Sequence, residues 1–129
     1  MRTSTFRLPA EKPRACAAEL ADAKWHLRSL TASEQIDAEA CVRGGAMGSF
    51  ALLAASRGLD SIEVSVRQDD GTVITKSMAI PAGRDQRARW LDEALADDPA
   101  ALGEIAAEVM RLSTLSAEGK GSAGSPPTS

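Results

Sequence analysis

The chain has 129 residues and a formal net charge of −3, so it has the size of one compact domain and no overall basic charge for binding nucleic acid. Alanine contributes 24 residues, and Leu, Ile, Val and Phe together contribute only 24 more, so the hydrophobic core is thin. Few bulky side chains remain to line an enzyme-like pocket, and no apolar run approaches the roughly 18–20 residues that a membrane span requires.

The N-terminus predicts a cytoplasmic protein, and that compartment in turn predicts the state of the two cysteines. The opening segment MRTSTFRLPAEKPR lacks the apolar stretch of a signal peptide. Cys16 and Cys41 are the two cysteines, and in a cytoplasmic chain they are predicted to be reduced, semi-buried small residues rather than a disulfide.

Hydrophobic periodicity and turn residues predict the elements in chain order. They are an extended segment at 5–8, helix 13–23, strand 25–30, helices 32–43 and 47–58, strands 62–67 and 72–80, helix 84–96 and a last helix from 99. The fold class is therefore α+β, a small, mainly helical domain with one β-hairpin and a short N-terminal strand region. Residues 1–115 are predicted to form this single domain, and the Gly/Ser/Pro-rich residues 116–129 a flexible, disordered tail.

Two helix starts carry specific capping signals. Thr31-Ala32-Ser33-Glu34 matches the capping box, in which the Thr31 hydroxyl and the Glu34 carboxylate each accept a backbone N–H of the other residue. Gly44 lies where a left-handed C-cap is predicted for that helix. Asp98 followed by Pro99 predicts the start of the last helix.

The hairpin admits two registers. A two-residue Asp70-Gly71 loop would place Val66 opposite Thr75, whereas a three-residue loop with a left-handed Gly71 would place Val66 opposite Ile74. The three-residue loop is the prediction because it pairs apolar with apolar side chains, including Ile62 with Met78.

The chemistry-bearing residues give no enzymatic or metal-binding pattern. His26 is the single histidine, and neither cysteine lies at ligand spacing from it, so it is interpreted as a half-exposed strand residue and no metal or other cofactor is predicted. Arg84, Arg87 and Arg89 are followed by acidic residues, and Arg89 lies four residues before Glu93, so a charge-neutralised helix is favoured over a nucleic-acid surface.

The apolar stripes of the helices are interpreted mainly as core, with one exception in the last helix. Met110 and Leu115 lie off its main stripe, just before the predicted tail. Met110, Leu112 and Leu115 are therefore the candidate partner-binding residues, and a chain of this kind is expected to self-associate as a homo-oligomer.

The layout resembles the tail assembly chaperones of long-tailed bacteriophages. The resemblance rests on a short strand, the segment WHLRSLTASEQIDAEA, a helix near RARWLDEAL, the terminal helix EIAAEVMRLSTLS and the tail GKGSAGSPPTS. The hairpin over 62–80 departs from the family pattern. The resemblance covers most of the chain through short motifs.

The resemblance implies a protein that is not an enzyme. Its partners would be the tape measure protein, which it would keep soluble while the tail tube polymerises, and the major tail protein. It also implies a longer form made by a −1 ribosomal frameshift, and the residues Glu118-Gly119-Lys120 are compatible with a slippery codon run.

Two alternatives remain open from the sequence. The first is a structural virion component, such as a minor tail or head-completion protein, which would be present in the mature particle. The second is a small cytosolic adaptor.

Overall fold

The computed structural model describes residues 2–9, 16, 18–45 and 47–124. Within these residues, five helices and four strands confirm the α+β class. Their bounds are β1 Thr3–Phe6, α1 Ala18–Ala21, β2 Lys24–Arg28, α2 Ala32–Arg43, α3 Met47–Gly58, β3 Leu59–Arg67, β4 Val73–Ser77, α4 Arg84–Ala94 and α5 Pro99–Gly124.

The four strands form one antiparallel sheet in the order β1-β2-β3-β4. Successive side chains of a strand point to opposite faces, so each strand contributes to both. On one face Trp25, Leu27 and Ile62 are buried in the core, where α5 packs against β1 and β2 and also against α3. The opposite face carries polar residues such as His26 and Glu63.

The hairpin adopts the predicted three-residue loop. The N–H of Gln68 donates to the carbonyl of Thr72 at 2.7 Å, Gly71 has φ +86°, and Val66 pairs with Ile74. The predicted register is therefore confirmed. Because β4 is the edge strand, all five of its residues are exposed, and the apolar match with β3 does not bury them.

The capping box predicted at the N-terminus of α2 is confirmed, and the left-handed C-cap predicted at its C-terminus is wrong. The N–H of Glu34 donates to Thr31 Oγ1 at 3.3 Å, and the N–H of Thr31 donates to Glu34 Oε1 at 2.9 Å, which completes the capping box. The prediction of a left-handed Gly44 is wrong, because Gly44 has φ −80°. The helical bonding runs one residue further, and Gly45, at φ +78°, makes the turn.

Helix α5 begins as predicted. The side chain of Asp98 accepts the N–H of Ala101 at 3.2 Å, and Pro99 is the first helical residue. Deeper in the helix, the buried hydroxyl of Ser113 accepts the N–H of Leu30 at 2.9 Å and donates to the carbonyl of Val109, which ties α5 to the end of β2.

The two ends of the chain are less fully described. The backbone of α5 is helical to Gly124, and residues 125–129 lie outside the described residues, so the flexible tail over 116–129 stays a prediction. At the N-terminus, β1 begins at Thr3 rather than at residue 5, because its register follows β2. The predicted helix 13–23 is described as α1 over Ala18–Ala21, and residues 10–15 and 17 lie outside the described part.

Candidate functional site

Four arginines from three separate elements surround one cavity of about 300 Å³, which we call the arginine cavity. Its lining residues are Arg28 of β2, Arg57 and Ser56 of α3, Arg84 and Arg87 of α4, Glu34 of α2, and Ala82. Four guanidinium groups and one carboxylate give these residues a net charge of +3, whereas the whole chain has a net charge of −3. The cavity is therefore a concentrated positive region on an acidic protein.

Glu34 and Arg28 form a close ion pair on one wall of the cavity. Arg28 Nη1 lies 3.0 Å from Glu34 Oε1, and Arg28 Nη2 lies 3.2 Å from Glu34 Oε2, which is the two-bonded geometry of a strong guanidinium–carboxylate pair. Burial of the Glu34 carboxyl raises its pKa, but the hydrogen bonds from Arg28 and from the backbone of Thr31 outweigh burial and lower the pKa to about 2. One carboxylate thus caps α2 and holds Arg28.

The low pKa of Glu34 predicts an acid-dependent loss of stability. A carboxyl whose pKa falls from 4.5 to about 2 on folding stabilises the folded state fully above pH 4.5, and that stabilisation is lost as the pH falls towards 2. The contribution is about 3 kcal/mol. Urea unfolding measured over this pH range should show the loss in the wild type and a shallower dependence in Glu34→Gln.

The matched control is Glu39→Gln, which removes an exposed carboxyl from the same helix. Equal slopes of unfolding free energy against pH for the wild type and Glu34→Gln would contradict the assignment to Glu34.

The other three arginines are held to different extents. Arg87 donates from Nε to the carbonyl of Pro81 at 2.9 Å and from Nη1 to the carbonyl of Leu59 at 2.7 Å, so it joins α4 to β3. Arg57 Nη1 is buried without a hydrogen-bond partner, and its nearest carboxylate oxygen, Asp37 Oδ2, is 3.8 Å away. Arg84 is exposed and makes no hydrogen bond or ion pair with any described residue.

The sequence contains part of the signal for this cavity. Arg84 and Arg87 are three residues apart and therefore share one helix face, although the acidic residues that follow them favour a charge-neutralised helix. The expected pair between Arg89 and Glu93 does not form in the described structure. Arg28 and Arg57 join the site through tertiary packing, which has no local sequence signature.

His26 lies on the polar face of the sheet, which confirms its interpretation as a half-exposed strand residue. Its Nε2 lies 2.8 Å from Glu63 Oε1, and its Nδ1 lies 3.4 Å from Thr5 Oγ1. A cavity of about 400 Å³ adjoins these side chains and opens to solvent. The contacts join three neighbouring strands, so we interpret them as cross-strand pairs of the sheet.

Helix α2 presents an apolar side chain directly to solvent. Along α2 the buried residues are Glu34 and Ala38, each two positions from Ile36. Two positions correspond to about 200° around a helix, so Ile36 lies opposite the buried side, and it is 61% exposed. Val42 on the same helix and Val73 and Ile74 on β4 are also exposed.

The partner-binding residues predicted in α5 take different positions. Leu112 is 3% exposed and belongs to the core, so in this conformation it supports the fold and is unavailable to a partner. Met110 is partly buried against the same core. The side chain of Leu115 lies outside the described residues, and the role of these residues in partner binding stays a prediction.

Among the described residues, Cys16 and Cys41 form no disulfide and are half-buried, as predicted. No group of three or more His, Cys, Asp or Glu side chains is placed there to hold a metal ion. No described helix has both the length and the apolar character needed to cross a bilayer. Comparisons with protein-family models, curated proteins and solved structures found no match for this chain.

Proposed function

We propose that this chain is a non-enzymatic binding protein of the cytoplasm and, more specifically, a tail assembly chaperone of a long-tailed bacteriophage that binds the tape measure protein. The observation that carries the proposal is the exposure of Ile36 on α2. Ile36 and most of this helix lie in the segment WHLRSLTASEQIDAEA, on which the resemblance to the family depends.

The position of α2 favours binding of a helical client. Only Glu34 and Ala38 of this helix are buried, so most of its circumference remains in solvent. Covering an exposed isoleucine contributes roughly 1.5–3 kcal/mol, and an amphipathic client helix can supply the apolar cover through side chains spaced three and four residues apart. A tape measure protein, being long and helical, offers many such segments.

The test is co-expression with the tape measure protein encoded in the same genome as this chain. We expect the wild-type chain to keep that protein in the soluble fraction and to co-purify with it. Ile36→Glu should lose both properties, because it places a charge on the proposed contact, and it should leave the free energy of unfolding nearly unchanged because Ile36 is exposed.

Val73→Glu is the matched control, since it introduces the same charge at a residue of similar exposure, 57%, on β4. We expect this variant to behave as the wild type. A tape measure protein that is equally insoluble with and without the chain would overturn the chaperone function, whereas full activity of Ile36→Glu would overturn the contact on α2.

The composition of purified virions separates the proposal from a structural tail protein. A chaperone acts during assembly and is released, so mass spectrometry of mature particles should not detect this chain. Its presence at a fixed copy number per particle would contradict the proposal and favour a minor tail or head-completion protein.

A further inference from the structure

We propose that the arginine cavity is a binding site for an oxyanion, that is, a phosphate or carboxylate group. The proposal is independent of the chaperone function, because it rests on the donors that meet at the cavity. These are the guanidinium groups of Arg57, Arg84 and Arg87 and the N-terminus of α4.

The charge of the cavity is not balanced by the acids beside it. Glu34 is bound by Arg28, and the carboxylate of Asp37 approaches Arg57 only to 3.8 Å. If both acids are counted against the four arginines, two positive charges remain. Because a charge held in a partly enclosed cavity is poorly screened, an incoming anion would be attracted more strongly here than at an open surface.

Two of the guanidinium groups lack a full set of acceptors. The side chain of Arg57 is only 18% exposed, and its Nη1 is buried without a hydrogen bond. A buried donor without an acceptor lowers stability, so an acceptor brought into the cavity would offset that cost. Arg84 has no partner among the described residues and lies at the same cavity.

The backbone adds donors on the same side. Gly83 is the N-cap of α4, and no side chain caps the helix there. The first N–H groups of a helix have no acceptor within the helix and carry a partial positive charge, which favours an anion. Since Ala82, Arg84 and Arg87 all line the cavity, the start of α4 adjoins the guanidinium groups. The volume of about 300 Å³ lies at the lower end of ligand sites, which suits a small group.

The test is a titration of the full chain followed by NMR, using the backbone amides of α4 and the Nε–H signals of the arginines. Sodium phosphate and sodium acetate are the two probes, each compared with sodium chloride at equal ionic strength. We expect saturable shifts at Arg57, Arg84 and the start of α4. A response to phosphate alone identifies a phosphate ligand, a response to acetate alone identifies a carboxylate, and a response to both identifies a site that accepts either group.

The variants decide whether the arginines form the site. Arg84→Gln changes an exposed residue and should keep the fold while weakening binding at least fivefold, and Arg57→Gln should weaken it further. The matched control is Arg89→Gln, which removes the same charge from an exposed position of α4 outside the cavity. The proposal is overturned if neither probe shifts these signals beyond chloride, or if Arg89→Gln weakens binding as much as Arg84→Gln does.

Discussion

Gly58→Ala is expected to lower the free energy of unfolding by about 3 kcal/mol, because the new methyl group has no space. A Cβ atom at residue 58 would lie 2.4 and 2.5 Å from the two methyl groups of Val109 and 3.0 Å from the carbonyl oxygen of Arg28. Val109 is fully buried and its branched side chain has few alternative rotamers, so it cannot move aside cheaply. Urea unfolding followed by circular dichroism measures the loss.

A double-mutant cycle identifies Val109 as the cause. Val109→Ala alone should cost about 2–3 kcal/mol, because it removes buried methyl groups and leaves a cavity. Gly58→Ala combined with Val109→Ala should cost less than the sum of the single changes, by at least 1 kcal/mol, because the added methyl group occupies the space that Val109 vacates.

Gly103→Ala is the matched control for this cycle. Gly103 lies in α5, where a Cβ atom would meet nothing within 4 Å, so the substitution should raise stability by roughly 0.5–1 kcal/mol through helix propensity. Strictly additive costs for residues 58 and 109 would show that the contact of α3 with α5 does not determine the requirement for glycine.

Trp25→Ala is expected to cost about 3–5 kcal/mol, the second large effect. Trp25 is fully buried in the centre of the sheet, between Phe6 of β1 and Ile62 of β3. Its indole N–H donates to the carbonyl of Leu20 at 3.3 Å and so joins the sheet to α1. Because few large side chains contribute to the core, no neighbour can fill the vacated volume. Urea unfolding followed by far-ultraviolet circular dichroism measures the effect without relying on tryptophan fluorescence.

Two further variants separate the cost of losing side-chain volume at residue 25 from the cost of losing its hydrogen bond. Trp25→Phe keeps most of the ring but removes the donor to Leu20, and we expect a cost of about 1–2 kcal/mol. Trp90→Ala removes the second tryptophan, which is only partly buried, and should cost less than Trp25→Ala. Equal costs at residues 25 and 90 would contradict the central position of Trp25 in the core.

Local signals predicted much of the secondary structure because short-range physics decides those features. The capping box at Thr31 and Glu34 needs only four consecutive residues, and the hairpin loop needs a left-handed glycine at Gly71. The incorrect prediction at the end of α2 also has a local cause. The left-handed residue after α2 is Gly45 rather than Gly44, because adjacent glycines are equally suited to that conformation and the helical bonds decide between them.

The candidate sites could be predicted much less well. The arginine cavity joins Arg28, Arg57 and Arg84 from three elements, and no sequence spacing expresses that convergence. In α5, the apolar pattern does not distinguish a side chain that faces the core from one that faces a partner, and Leu112 proves to be core. Conversely, Ile36 is exposed because α2 buries only Glu34 and Ala38 against the rest of the domain. That arrangement is a property of the assembled fold.

By itself, the sequence determined the element types, the N-caps of α2 and α5, the hairpin register and the thinness of the core. These depend on side-chain volume, backbone preference and hydrogen bonds between near neighbours. Only the tertiary structure decided that β1 to β4 form one sheet, that the close contact at Gly58 brings α3 against α5, and that positive charge gathers at one cavity. Those features depend on contacts between residues distant in the chain, and such contacts are set by the packing of the whole domain.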